Sequence, residues 1–192
     1  MKSALSIIAI LCVVITSNSQ EKLPYYEIHE APEKFTAGTT VSRMIDGLGF
    51  RFYWASEGLR NEDLSFKPSD EARTSLETIQ HIFGLTNMIH NCVTQKQHDN
   101  GNLKEMTFDE LRKSILVRLK ESSDILRKSD DISEFKIVMG RGDRKTELPF
   151  WNQINGPISD ALWHTGQVVS FRRSSGNPYN SKASVFSGKV RN

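Results

Sequence analysis

The chain has 192 residues and a mass of 21.8 kDa, the size of one domain. Its 38% hydrophobic and 25% charged residues supply a core and a solvated surface, which excludes wholesale disorder, and 12 Gly with 6 Pro exclude a collagenous or linker-like chain. A net charge of +2, from 25 basic and 23 acidic residues, lacks the basic excess of a nucleic-acid binder, so no nucleic-acid partner is expected.

Residues 1–19 read as a secretory signal peptide. Lys2 is followed by an apolar run from Ala4 to Ile15, then by the small and polar residues Thr16 to Ser19. The run is too short for a spanning helix, which needs ~20 apolar residues. Cleavage is expected near Ser19 or Gln20, in preference to an uncleaved interfacial anchor. No later segment is long and apolar enough to cross a membrane, so no stable span is expected after cleavage. Cleavage removes Cys12 and leaves Cys92 alone, so no internal disulfide can form. The chain also lacks an N-x-S/T sequon. These features suit an exported bacterial protein, periplasmic or secreted.

Residues 20–37 form an N-terminal arm containing Pro24 and Pro32. The first helical pattern runs from about Thr39 to Leu59, with Val41, Ile45, Leu48, Phe52, Ala55 and Leu59 on one stripe. Gly47 and Gly49 within it permit close packing. A polar connector, 60–72, tucks in Leu64 and Phe66. The second helix opens at Thr74, where Thr74 and Glu77 make a capping box. Its apolar positions include Leu76, Ile79, Ile82, Phe83, Leu85, Ile89 and Val93. The third opens in the same way, with Thr107 and Glu110, and carries Phe108, Leu111, Ile115, Leu119 and Leu126 to about Lys128.

Residues 131–149 are the least helical and predict a small hairpin with a Gly-containing turn. A turn explains Arg141-Gly142-Asp143 better than an adhesion ligand does. The fourth helix is expected from about Pro157 to Ser174, with Ile158, Leu162, Thr165 and Val169 as its apolar stripe, stopped by Gly176 and Pro178. Residues 179–192 form a polar tail without a clear period. Four amphipathic helices with moderate connectors argue for an all-α four-helix bundle.

Five histidines narrow to two. His29 lies in the arm and His98 in a polar loop, and His90 is half a turn out of phase with His81. His81 shares its face with Leu85, Met88 and Cys92, where a core imidazole bonded to a backbone carbonyl is the plainer reading. In the fourth helix Asp160, His164, Gln167 and Phe171 share a face at i, i+4, i+7 and i+11. A carboxylate and an imidazole one turn apart can chelate one ion, or can simply pair on an exposed surface. Facing helices of a bundle build metal sites in its core. His81, Asp160 and His164 would then give three protein ligands and an open fourth position, the layout of a catalytic metal site.

The segments WASEGLRNEDLSFKP, TSLETIQHIFGLTN and GPISDALWHTGQVVSFRRSSGNP resemble the DinB-like superfamily of four-helix bundles, also called damage-inducible or YfiT-like proteins. The likeness covers residues 38–178 and is most specific at His164-Thr165-Gly166-Gln167, followed by Arg172 and Gly176. It implies a divalent ion held by one His on the second helix and an H-x-x-x-H pair on the fourth. His81 fits the first position and His164 the last. The middle position is Asp160, which can ligate zinc or nickel and favours harder ions such as manganese. It can alternatively orient His164 without touching a metal.

The resemblance implies a metal-dependent enzyme, either a hydrolase or a thiol-dependent S-transferase. Bacterial low-molecular-weight thiols are cytosolic, so for an exported chain the hydrolase is preferred, with Asp160 or Gln167 orienting the attacking water. The competing reading is a non-catalytic bundle that binds a small ligand or partner, with Asp160 and His164 as a structural pair. A homodimer is a third expectation, since bundles of this kind often pair. Gly166 is expected at a close helix contact. Gln167 bonds either a ligand or a neighbouring backbone. Arg172 and Arg173 suit either the helix dipole, which is preferred, or an anionic substrate. Trp54 and Trp163 are expected in the core or an interface, and no role as a nucleophile is expected for Cys92.

Overall fold

The computed structural model describes residues 22–96, 103–140 and 142–192. The expected signal peptide, 1–19, and His98 lie outside them. Among the described residues, short 3-10 turns aside, there are six α-helices and two small antiparallel strand pairs: α1 (Ala37–Ser56), α2 (Asn61–Ser65), α3 (Ser75–Val93), α4 (Phe108–Arg127), β1 (Lys136–Met139), β2 (Thr146–Pro149), α5 (Trp151–Gln153), α6 (Ser159–Ser174), β3 (Ala183–Ser184) and β4 (Lys189–Val190). The chain is thus mostly helical. The four long helices pack in a ring, α1 on α4, α4 on α3, α3 on α6 and α6 on α1.

The three predicted stripes of the first three long helices meet in the centre. Ile45, Phe52, Ile79, Ile82, Leu111 and Ile115 are fully buried there. Each of these helices starts at a threonine. Thr74 and Thr107 cap α3 and α4 with Glu77 and Glu110 as reciprocal acceptors, as expected. Thr36 caps α1 through Thr39, three residues ahead of the predicted start.

Two buried polar clusters lock the helices. Asp46 of α1 accepts from Ser123 Oγ at 2.6 Å, from Tyr25 Oη at 3.3 Å and from Arg127. Tyr25 sits flat against Gly49, where a Cβ would come within 2.5 Å of its ring. Gly49 therefore does serve close packing. The second cluster joins α2 to the end of α6. Asp63 accepts from Arg60 Nη2 at 2.8 Å, from Ser175 Oγ at 2.6 Å and from Asn177 Nδ2 at 2.6 Å. These bonds, led by Arg60, hold the Asp63 carboxyl well below the usual range. α2 itself falls inside the connector, where no helix was expected.

The predicted hairpin is β1 and β2, with Ile137 opposite Leu148 and a turn that places Gly140 and Gly142 at positive φ. The tail departs from expectation. β3 pairs with β4, and this second hairpin lies on the arm: Ile28 N donates to Gly188 O at 3.0 Å, and Val190 N to Glu27 Oε1 at 2.9 Å.

α6 begins two residues later than predicted. A helical turn at Trp151 runs on through a π-type turn, Ile154–Ile158, with non-helical backbone at Gly156 and Pro157 inside it. Pro157 has no N–H to donate, so the ladder breaks there and restarts at Ser159. The buried face of α6 also differs. It is Ala161, Thr165, Val168 and Arg172, while Leu162 is 41% exposed. A charged residue hid this stripe from a hydrophobic reading. Arg172 is only 3% exposed and donates to the carbonyls of Trp54, Ala55 and Glu57 at 2.9–3.0 Å. Its guanidinium ties the carboxyl end of α1 to Asn177, just past its own helix, where Nε donates to the Asn177 carbonyl at 2.7 Å.

Candidate metal centre

α6 contacts α3 on one side of its buried face and α1 on the other. Its Asp160–Phe171 stripe looks towards α3. There the structure brings together the three residues singled out in the sequence. His81 Nε2 lies 3.4 Å from Asp160 Oδ2, and His164 Nε2 lies 3.3 Å from Asp160 Oδ1. One donor atom from each residue falls within 4.8 Å of the other two. The imidazoles meet edge to face, with ring centres 4.6 Å apart and planes at 87°. All three side chains are partly buried.

Local structure explains the placement. The Thr74 cap fixes the start of α3 and sets His81 two turns in. The π-type turn fixes the start of α6, so that Asp160 lies in its first turn, where the helix dipole favours a carboxylate. His164 follows one turn later.

Gln167 Oε1 lies 2.7 Å from His164 Nδ1. With the carboxamide oxygen accepting from Nδ1, Nε2 is the ring nitrogen left towards the cluster. Gln167 thus bonds a side chain, neither a backbone group nor open ligand space. His81 has its pKa lowered, first by burial, then by the neighbouring His164 and Arg73, against the pull of Asp160. A lowered value keeps this imidazole neutral at pH 7, the form that ligates metals.

The residues fit a divalent ion. Ligand bonds of ~2.0–2.1 Å in a tetrahedral site put neighbouring donors about 3.3–3.4 Å apart. The two observed separations run to different oxygens of Asp160, and the three donor atoms lie within 4.8 Å of one another, so seating on one ion takes a small side-chain adjustment. A charge-assisted N–H···O bond is shorter, about 2.7–2.9 Å. The histidine–carboxylate distances are longer than that, so both pairings are weak as they stand and leave the three donors able to take an ion. Two imidazoles and one carboxylate suit zinc, nickel or manganese.

Beside His81 a cavity of about 460 Å³ opens, walled by Leu85, Met88 and Leu103, with Gln80 at its side and Arg73 at its edge. Arg73 escaped sequence reasoning. Its signal was only a charge standing one residue ahead of the Thr74 cap.

The other sequence candidates separate from this site. His90 faces α4 and bonds Glu121 Oε2 at 2.8 Å. Cys92 is 1% exposed, and burial pushes its thiol up to about 11. Trp54 is buried in the core, whereas Trp163 is 73% exposed. Gly166 corrects the expectation of close helix packing, since a Cβ there would meet nothing within 4 Å. Comparison of the chain with models of known protein families, with curated proteins and with solved structures finds no match.

Proposed function

We propose that His81, Asp160 and His164 hold one divalent ion, and that the protein is an exported metal-dependent hydrolase of the DinB-like type. The convergence of the donors carries this reading: one ligand atom from each of the three residues, on two facing helices, lies within 4.8 Å of the other two. When bound, such an ion polarises a carbonyl and lowers the pKa of a coordinated water.

The chain's own groups do the rest. Three ligands leave one position open. The cavity beside His81 gives a substrate an apolar wall at Leu85 and Met88. Gln167 holds His164 in the Nε2-ligating tautomer, so its part is positioning. Asp160, with an oxygen towards each imidazole, is the group able to accept a hydrogen bond from an attacking water. The leader-like residues 1–19 support export, and export favours hydrolysis over chemistry that draws on a cytosolic thiol.

The test is elemental analysis of the mature, untagged protein, purified without chelator, beside a His81→Ala/His164→Ala variant. The expected result is about one equivalent of zinc, nickel or manganese in the wild type and its loss in the variant. A screen of esters and amides on the loaded protein follows. Metal that stays well below one equivalent after each ion is added back, and ignores the mutations, overturns the reading. The bundle would then be a non-catalytic binding module in which Asp160 merely pairs with two imidazoles.

A further inference from the structure

We propose a second ligand site, on the side of α6 opposite the metal cluster: a groove between α1 and α6 that binds a small carboxylate carried on an apolar body. It does not rest on the metal reading. Leu162, Gly166, Val169 and Arg173 follow one another at i, i+4, i+7 and i+11, half a turn away from Asp160 and His164. Arg51 and Trp54 of α1 form the facing wall, and Tyr179 and Val185 close the end. The groove is open to solvent and has a volume of about 350 Å³, enough for a small organic ligand.

Three observations converge on the ligand's chemistry. The first is the lining. Leu162 and Val185 are 41% and 45% exposed, and no other element covers them among the described residues. The second is the charge. Both ionic groups are arginines, and no Asp or Glu lines the groove. Arg51 spends one donor on Gly47 O at 3.0 Å, and Arg173 stands 5.4 Å over the Tyr179 ring. Neither has a carboxylate partner among the described residues, and both line the groove. A guanidinium fork matches a carboxylate. The third is Gly166. Glycine is disfavoured inside a helix, and no neighbour approaches closely enough to require it here. Its missing side chain keeps the floor of the groove open. An apolar pocket with two unpaired arginines at its rim selects an amphipathic anion over a neutral or cationic ligand.

The probe is 4-phenylbutyrate, titrated calorimetrically against its neutral analogue 4-phenylbutyramide. Saturable binding of the carboxylate is expected, with the amide weaker by about tenfold or more. Arg51→Gln/Arg173→Gln should weaken the carboxylate by a similar factor. Gly166→Leu fills the floor and should abolish binding while leaving Tm unchanged or higher, because leucine is the better helix former. His81→Ala/His164→Ala should bind as tightly as wild type, which separates this groove from the metal centre. No saturable binding of 4-phenylbutyrate, equal affinity for the amide, or full binding by Gly166→Leu each overturns the proposal.

Discussion

Arg172 and its neighbour Arg173 differ by one position and by almost everything physical. Arg172 answers three carbonyls at the end of α1, groups that no helix can satisfy by itself. Arg172→Met should cost about 3 kcal/mol in urea unfolding, whereas Arg173→Met should stay within about 0.5 kcal/mol. Asp63 gives a pH signature. Its carboxyl is held below the value of about 3.9 that it has when unfolded. Its contribution is therefore complete above about pH 5 and drains away as pH falls below that value towards the folded pKa. Unfolding free energies of wild type and Asp63→Asn should differ most near neutrality and converge as the solution is acidified. A gap that holds constant down to about pH 2.5 would contradict this account. At the proposed metal centre, Gln167→Leu removes the bond to His164, and metal affinity should drop about 10- to 100-fold in competition with a chromogenic chelator.

At the scale of elements, the threonine caps are the easiest features to verify. Thr107→Ala should cost about 1 kcal/mol, read as a lowered Tm. The caps of α3 and α4 were legible because Glu follows three residues after Thr, a pattern written in local sequence. The Thr36 cap of α1 was not, because its partner at that place is Thr39, which carries no such signature. The stripes of α1, α3 and α4 could be read from apolar spacing. That of α6 could not, because its buried face contains Arg172, whose carbonyl partners on α1 lie more than a hundred residues away in sequence. α2 had one local signal, Arg60 three residues before Asp63, but Asp63's other partners, Ser175 and Asn177, lie more than a hundred residues away. Of the metal cluster, the i, i+4 pair on α6 was legible from spacing. Its meeting with His81 needed the packing of α3 against α6. The groove on the far side of α6 was invisible for a plainer reason: Leu162 looked like core.

Considered as a whole, the molecule protects its one described thiol by burying it at the end of α3, beside Gln153 of α5. Cys92 should react with a disulfide reagent only as fast as the whole domain opens, and the labelling rate should rise in step with urea-induced unfolding. A fast reaction of the native protein would show local opening of α3 instead. The seating of the arm on the β3–β4 hairpin has a consequence in time. Glu27 and Val190 are 163 positions apart, yet one accepts the other's hydrogen bond. A ribosome delivers residues in order, so Glu27 and Ile28 must wait for almost the entire chain before their partners exist. The four long helices have all been made by then. The arm is thus a latch that can be fastened only after synthesis has passed residue 190, and a nascent chain stalled before that point carries it open.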